Sequence, residues 1–326
     1  MRLTQAAVPP LLPSVTRREA TSILGAMRAV AAPDGALSIA AERSLRAAAR
    51  HVFGDAGLAE DPAAESLAVA VAGRPLAAIA LRCLVIMVLV DGTIDPARVA
   101  ALRTQIAALG IDAPALTLLE DLLAGHRDEA FAEMTRVNMD SVTNAPWFGG
   151  DINAWLLPYH GDGADPALAA RFAALGDLPP ETIGHALWAH FRHNGYAFPG
   201  EAEGLNAAFS LPHDTVHVLT GYDTRPGGEI LTSTFTAAMH PIHPIEGHIL
   251  PAIVSWHVGG RINEVAKNAT GTLDVEEVWR AWAAGAVARI DTFAPGWDFW
   301  SFAAEPLGSL RARWGIPPEG LADPEE

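Results

Sequence analysis

His213-Asp214-Thr215-Val216-His217, followed after eleven residues by Glu229, holds the side chains of this sequence best suited to chemistry. On a helix, residues four apart share a face, so the two imidazoles point the same way and Asp214 lies beside them. Pro212 fits the first turn of that helix and Gly221 its end. Gly227-Gly228 allow a tight return before a second apolar helix that opens at Glu229 and runs from Ile230 to Met239. Two antiparallel helices would then carry two imidazoles and two carboxylates to one spot. Such a nitrogen and oxygen set suits zinc first, and iron or manganese would also accept it.

The rest of the sequence must supply a frame for those helices. At 326 residues, with half of them hydrophobic and 18% charged, the chain can bury the cores of two domains. Period-two alternation is absent outside a few residues near Phe299–Phe302, and Ala, Leu, Glu and Arg abound, which predicts an all-α fold. Helices are expected over Ile39–Val52, Pro96–Leu109, Glu181–Asn194, 213–220, 229–239, 249–266 and 274–289, the last opened by Asp274 and Glu277 as a capping box. Between about 126 and 180 the chain reads as irregular, with turns at Trp147-Phe148-Gly149-Gly150 and Pro158-Tyr159-His160-Gly161. The apolar run Leu76–Val90 is interrupted by Arg82 and falls short of a membrane span, so it reads as a buried helix.

A net charge of −16 opposes general affinity for nucleic acid and for anionic lipid. Cys83 is alone, so neither an internal disulfide nor a zinc–thiolate cluster can form. Met1–Pro13 is broken by three prolines and lacks the continuous apolar core of a secretory signal. These features predict a cytoplasmic protein, with peripheral contact at the inner membrane and homo-oligomerisation left open.

The first half contains a repeat. Pro33-Asp34-Gly35-Ala36-Leu37-Ser38 is echoed by Val90-Asp91-Gly92-Thr93-Ile94-Asp95, each with a good helix cap, Ser38 or Asp95, three residues after its glycine. These units resemble the tellurite-resistance TerB-like domain, with Glu42 at the position of that domain's helical glutamate and no matching acid in the second unit. The resemblance implies a helical bundle over 15–126, which would dock the protein to a membrane or a partner. Asp34 and Asp91 themselves read as turn residues.

Within a second domain expected over 127–320, the stretch from about 178 to 318 resembles the fourth coenzyme Q biosynthesis protein family. The resemblance rests on the His-Asp-x2-His-x11-Glu pattern of His213, Asp214, His217 and Glu229, on Leu178-Pro179-Pro180-Glu181-Thr182-Ile183-Gly184 before it, and on Ala281-x3-Gly285 and Pro306-Leu307-Gly308-Ser309-Leu310-Arg311 after it. It implies a zinc-binding ubiquinone biosynthesis protein whose site is those four residues. The implied substrate is a polyprenylated benzoate-type ring, and the implied reaction replaces the ring carboxylate by hydroxyl. The partners implied are that prenylated precursor, or another isoprenoid lipid, and other enzymes of quinone biosynthesis. The isoprenoid tail would need an apolar groove, expected along helices 229–239 and 249–258.

Two other classes fit the same residues. One is a prenyl-lipid-binding scaffold without chemistry of its own. The other is a metal-dependent phosphohydrolase, which would need His185 or His190 and Asp274 or Asp291 as further ligands. His240, His243 and His248 are separated by prolines and read as ordinary satisfied or exposed histidines. On the helix before the motif, His185, His190 and His193 read as capping or packing residues, with His190 able to face the site.

Overall fold

The computed structural model describes residues 15–54, 67–71, 75–144, 150–262, 268–317 and 320–322. Met1–Pro13, Trp147–Gly149 and the only lysine, Lys267, lie outside them. The fold is all-α, with no strand among the described residues and only two isolated bridges, Thr182 with Pro306 and Val258 with Thr270. No helix among them is long and apolar enough to cross a membrane.

The helices follow in order: α1 Arg17–Ala31, α2 Ile39–His51, α3 Leu67–Ala70, α4 Leu76–Leu89, α5 Pro96–Leu109, α6 Pro114–Ala124, α7 Arg127–Thr143 and α8 Ile152–Leu156. Then come α9 Pro166–Ala173, α10 Ile183–Asn194, α11 Ala207–Thr220, α12 Pro226–Met239, α13 Leu250–Trp256, α14 Val275–Val287 and α15 Leu307–Trp314. A π-helical stretch, Pro244–Ile249, leads into α13, and Phe299–Ser301 forms a 3₁₀ turn instead of an extended segment.

Local chemistry places most helix starts. Ser38 accepts the amide of Ala41, Asp95 those of Ala97 and Arg98, and Asp274 those of Glu276 and Glu277. Each satisfies donors that a helix leaves unpaired at its first turn. The two repeated turns meet. Ser38 donates to Asp91 Oδ1 at 2.7 Å, and Asp91 also pairs with Arg98, so one carboxylate ties the first unit to the second.

The expected irregular region holds α7, α8 and α9. Met134, Val137, Met139 and Val142 of α7 are buried, while its other face is charged and gives little apolar signal. The helix expected over 249–266 ends at Trp256.

Two cores lie under these helices. The first joins α1–α6 to residues of α12, α13 and α14, and Trp279 Nε1 of α14 donates to Ser44 Oγ of α2 at 2.8 Å within it. The second lies among α7, α9–α12, α14 and α15. Helix α14 runs along α12, and Ala281-x3-Gly285 makes that closeness achievable. Ala281 is fully buried, and a Cβ on Gly285 would stand 2.4 Å from the Phe235 carbonyl oxygen. Gly285→Ala therefore forces α12 and α14 apart and costs about 1–3 kcal/mol, read as a lower denaturant midpoint with an unchanged slope. Cys83 is fully buried, and burial pushes its thiol up to about 12. Iodoacetamide at pH 8 should leave it unmodified in the native chain and label it within minutes in denaturant.

Candidate metal centre

Helix α11 begins earlier than its sequence suggests. Asn206 caps it by accepting the amide of Ala208, so Pro212 lies inside the helix rather than in its first turn. The proline removes the hydrogen bond that the Ala208 carbonyl would accept, and Thr215 Oγ1 bonds the Leu211 carbonyl at 2.6 Å just beyond it. Gly221 ends the helix in the left-handed conformation, as expected. Its last turn is secured from outside: Arg311 of α15 donates to the carbonyls of Leu219 and Val218, both at 2.9 Å. Cation and carbonyls meet at the negative end of the helix dipole.

Helix α12 also begins earlier. Pro226 takes the first position, so Gly227-Gly228 belong to its first turn and are not a return loop. Gly228 is needed there because a Cβ would stand 2.1 Å from the Asp223 carbonyl oxygen. Glu229 is thereby in the first turn, where the helix dipole favours a carboxylate.

These two helices bring three ligand atoms together. His213 Nε2 and His217 Nε2 are 3.2 Å apart, and Glu229 Oε2 lies 3.3 Å from the first and 3.6 Å from the second. Atoms about 2.1 Å from a shared tetrahedral ion are about 3.4 Å from one another, so this triangle is the size one face of such a site requires. Asp214 offers an oxygen within 4.8 Å of both imidazole nitrogens, and His213, Asp214 and His217 form a group that could hold a metal ion.

The surroundings prepare the donors. His217 Nδ1 lies 3.0 Å from the Tyr222 carbonyl, which can only accept, so Nδ1 carries a proton and Nε2 faces the site. Thr232 Oγ1 sits 3.1 Å from the same nitrogen. Burial opposes charge on His217, but the Glu229 carboxylate outweighs it, with help from Asp214 and the Tyr222 carbonyl, and raises the imidazole to about 9. Burial likewise opposes charge on Glu229, yet the two imidazoles hold its carboxyl well below the usual range. Without an ion, the proton shared by His217 and Glu229 balances the buried charge. A divalent cation would displace it.

Sequence spacing undervalued His190. Its ring stacks on that of His217, with centroids 5.4 Å apart and planes at 25°. Its Nε2 lies 3.4 Å from Asp214 Oδ1, too poorly aligned for a hydrogen bond. Helical periodicity could place it on an inner face but could not say which helix that face meets. Of the further ligands that a phosphohydrolase would need, His190 stands beside the site, Asp274 caps α14 and Asp291 pairs with His240.

A cleft of about 610 Å³ opens beside His190 and His217, with Ala186, Ala189, Val218 and Leu307 as its apolar lining. Residues 221–225 form its rim. This differs from the groove expected along α12 and α13, whose apolar residues are packed into the cores. Leu307 belongs to the Pro306–Arg311 segment, so that segment both caps α11 and lines the cleft. The Leu178–Gly184 segment braces the chain just before it: the amides of Ile183 and Gly184 bond the carbonyls of Glu305 and Ala303, and a Cβ on Gly184 would stand 2.7 Å from the latter. No protein-family model matches the chain, and no curated protein matches it.

Dialysed full-length protein should retain one divalent ion per chain. His213→Ala and Glu229→Ala should lose it by elemental analysis, while His193→Ala, which alters only the cleft, should keep it. An unchanged metal content in Glu229→Ala would remove that residue from the ligand set.

Burial, followed by the neighbouring His240, His213 and His243, lowers His248 from 6.5 to about 3. Its unfolded form takes a proton near 6.5 that the folded form refuses, so stability is complete above that pH and falls as pH drops toward 3. His248→Gln should flatten this acid limb in denaturant titrations between about pH 6.5 and 4.

Proposed function

We propose that this chain is a metal-dependent enzyme of ubiquinone biosynthesis that acts on a polyprenylated hydroxybenzoate-type ring, with zinc as its resident ion and iron or manganese as alternatives. The observation that carries this reading is the triangle of His213, His217 and Glu229 ligand atoms beside an apolar cleft. The motif and its flanks, which resemble the coenzyme Q family, name the substrate class.

When bound, the ion supplies Lewis acidity toward a phenolate or carboxylate of the ring. His213, His217, Asp214 and Glu229 hold it, and the Tyr222 carbonyl keeps His217 in the tautomer that can ligate. His190, stacked on His217 and adjoining Asp214, narrows the approach from the cleft. Ala186, Ala189, Val218 and Leu307 exclude water and accept the start of an isoprenoid chain. Replacing the ring carboxylate by hydroxyl releases carbon dioxide and is a two-electron oxidation. Zinc has no redox chemistry, so dioxygen would be the oxidant, with water as co-reactant and hydrogen peroxide as the second product.

Deleting the gene should lower ubiquinone and accumulate a carboxylated prenyl-ring precursor, measured by mass spectrometry of lipid extracts. Wild-type protein should restore the quinone, and His213→Ala should not. Restoration by His213→Ala would instead mark a prenyl-lipid carrier that needs no ion. Ubiquinone unchanged by the deletion would reject both readings.

A further inference from the structure

A second buried polar centre lies beyond the metal ligands. Residues i, i+3, i+7 and i+11 share a helix face, and on α12 these are Glu229, Thr232, Thr236 and His240. Thr232 serves His217, as described. The other two belong to a separate constellation.

His240 caps the end of α12 and is 1% exposed. Both Asp291 oxygens lie close to its Nδ1, at 3.0 and 2.9 Å, and Asp291 Oδ1 also accepts the amide of Phe293 at 2.9 Å. A carboxylate can only accept, so Nδ1 carries a proton, and a neutral ring then presents a lone pair at Nε2. That Nε2 is buried with no hydrogen-bond partner. Two hydroxyls close to this pair along the chain share this condition: Thr236 Oγ1 one turn earlier on α12 and Thr292 Oγ1 next to Asp291. Thr236 is 1% and Thr292 2% exposed.

His248 turns its ring edge-on to His240, with centroids 6.1 Å apart, and its Nε2 lies 2.7 Å from Ser141 Oγ. It belongs to the π-helical stretch that follows His243, a residue held at φ +44°. Each buried polar atom without a partner costs about 1–3 kcal/mol, so three on the His240–Asp291 pair and its chain neighbours would be expensive as mere packing. Native interiors meet that cost by binding a polar molecule.

We infer that His240, oriented by Asp291, is a general base in a second, enclosed site that takes a hydroxyl-bearing molecule, either water or a phenolic ligand. Thr236 and Thr292 hold that molecule. The O–H bond breaks with its electron pair left on oxygen, an N–H bond forms at Nε2, and the imidazolium stays paired with the Asp291 carboxylate. Asp291 is a positioning residue, since it acts only through His240. None of these steps involves an ion at His213 and His217, so the inference stands or falls apart from the proposed function.

The test uses the full chain with labelled histidine rings and threonine methyls. In solution spectra, the His240 ring should appear as the Nδ1–H tautomer, and the Thr236 and Thr292 methyls should show cross-peaks to long-lived water. Added phenol should shift the His240 ring nitrogens and displace that water if a ligand hydroxyl is preferred. Water cross-peaks without a phenol shift would make water the occupant. Thr236→Val, which keeps the shape and removes one hydroxyl, should lose these signals while retaining the metal. Dry methyls with no phenol response, or an Nε2–H tautomer, would overturn the inference.

Discussion

A carboxylate buried against two imidazoles persists only while the distance between two helices is held to a few tenths of an ångström. Glu229 and His217 lose hydration on burial, and each is compensated by the other. If α11 and α12 slid apart, both groups would become uncompensated buried charges, among the costliest defects a core can hold. Much of the surrounding architecture opposes that slide. Arg311 grips the final carbonyls of α11, and the bare backbone at Gly285 lets α14 lie against α12. The tight passage at Gly228 fixes where α12 begins.

The residues that spacing singled out are those that converge, because a helix face and a connecting length are local properties. The flanking segments were also visible in sequence, and their physical tasks became clear only in three dimensions. Pro306–Arg311 caps α11, Leu178–Gly184 braces the segment before α15, and Ala281-x3-Gly285 permits a close helix crossing. What escaped was nonlocal. His190 meets Asp214 from another helix, and His240 and Asp291 are 51 residues apart. The misplaced start of α11 has a different cause: Pro212 suggested a first turn, but the Asn206 cap and packing override that preference. Helix α7 went unseen because its charged face dilutes the apolar pattern.

The N-terminal repeat is joined to the site through packing. Residues of α1–α6 share a core with α12, α13 and α14, and Trp279 of α14 reaches Ser44 of α2. His257, just after α13, donates from Nε2 toward the Val90 carbonyl at 3.3 Å and accepts the Leu273 amide at its other ring nitrogen. A single imidazole thus spans the second repeated turn and the approach to α14.

The Tyr222 carbonyl carries an evolutionary consequence. His217 is oriented by a main-chain oxygen, which every amino acid possesses, as well as by the Thr232 hydroxyl, which mutation could delete. The neighbouring rim residues Asp223, Thr224 and Arg225 can therefore be exchanged while the imidazole keeps its aim. The side chains lining the cleft and the carbonyl that aims His217 are encoded in different parts of the same short loop. Selection can change the first without disturbing the second.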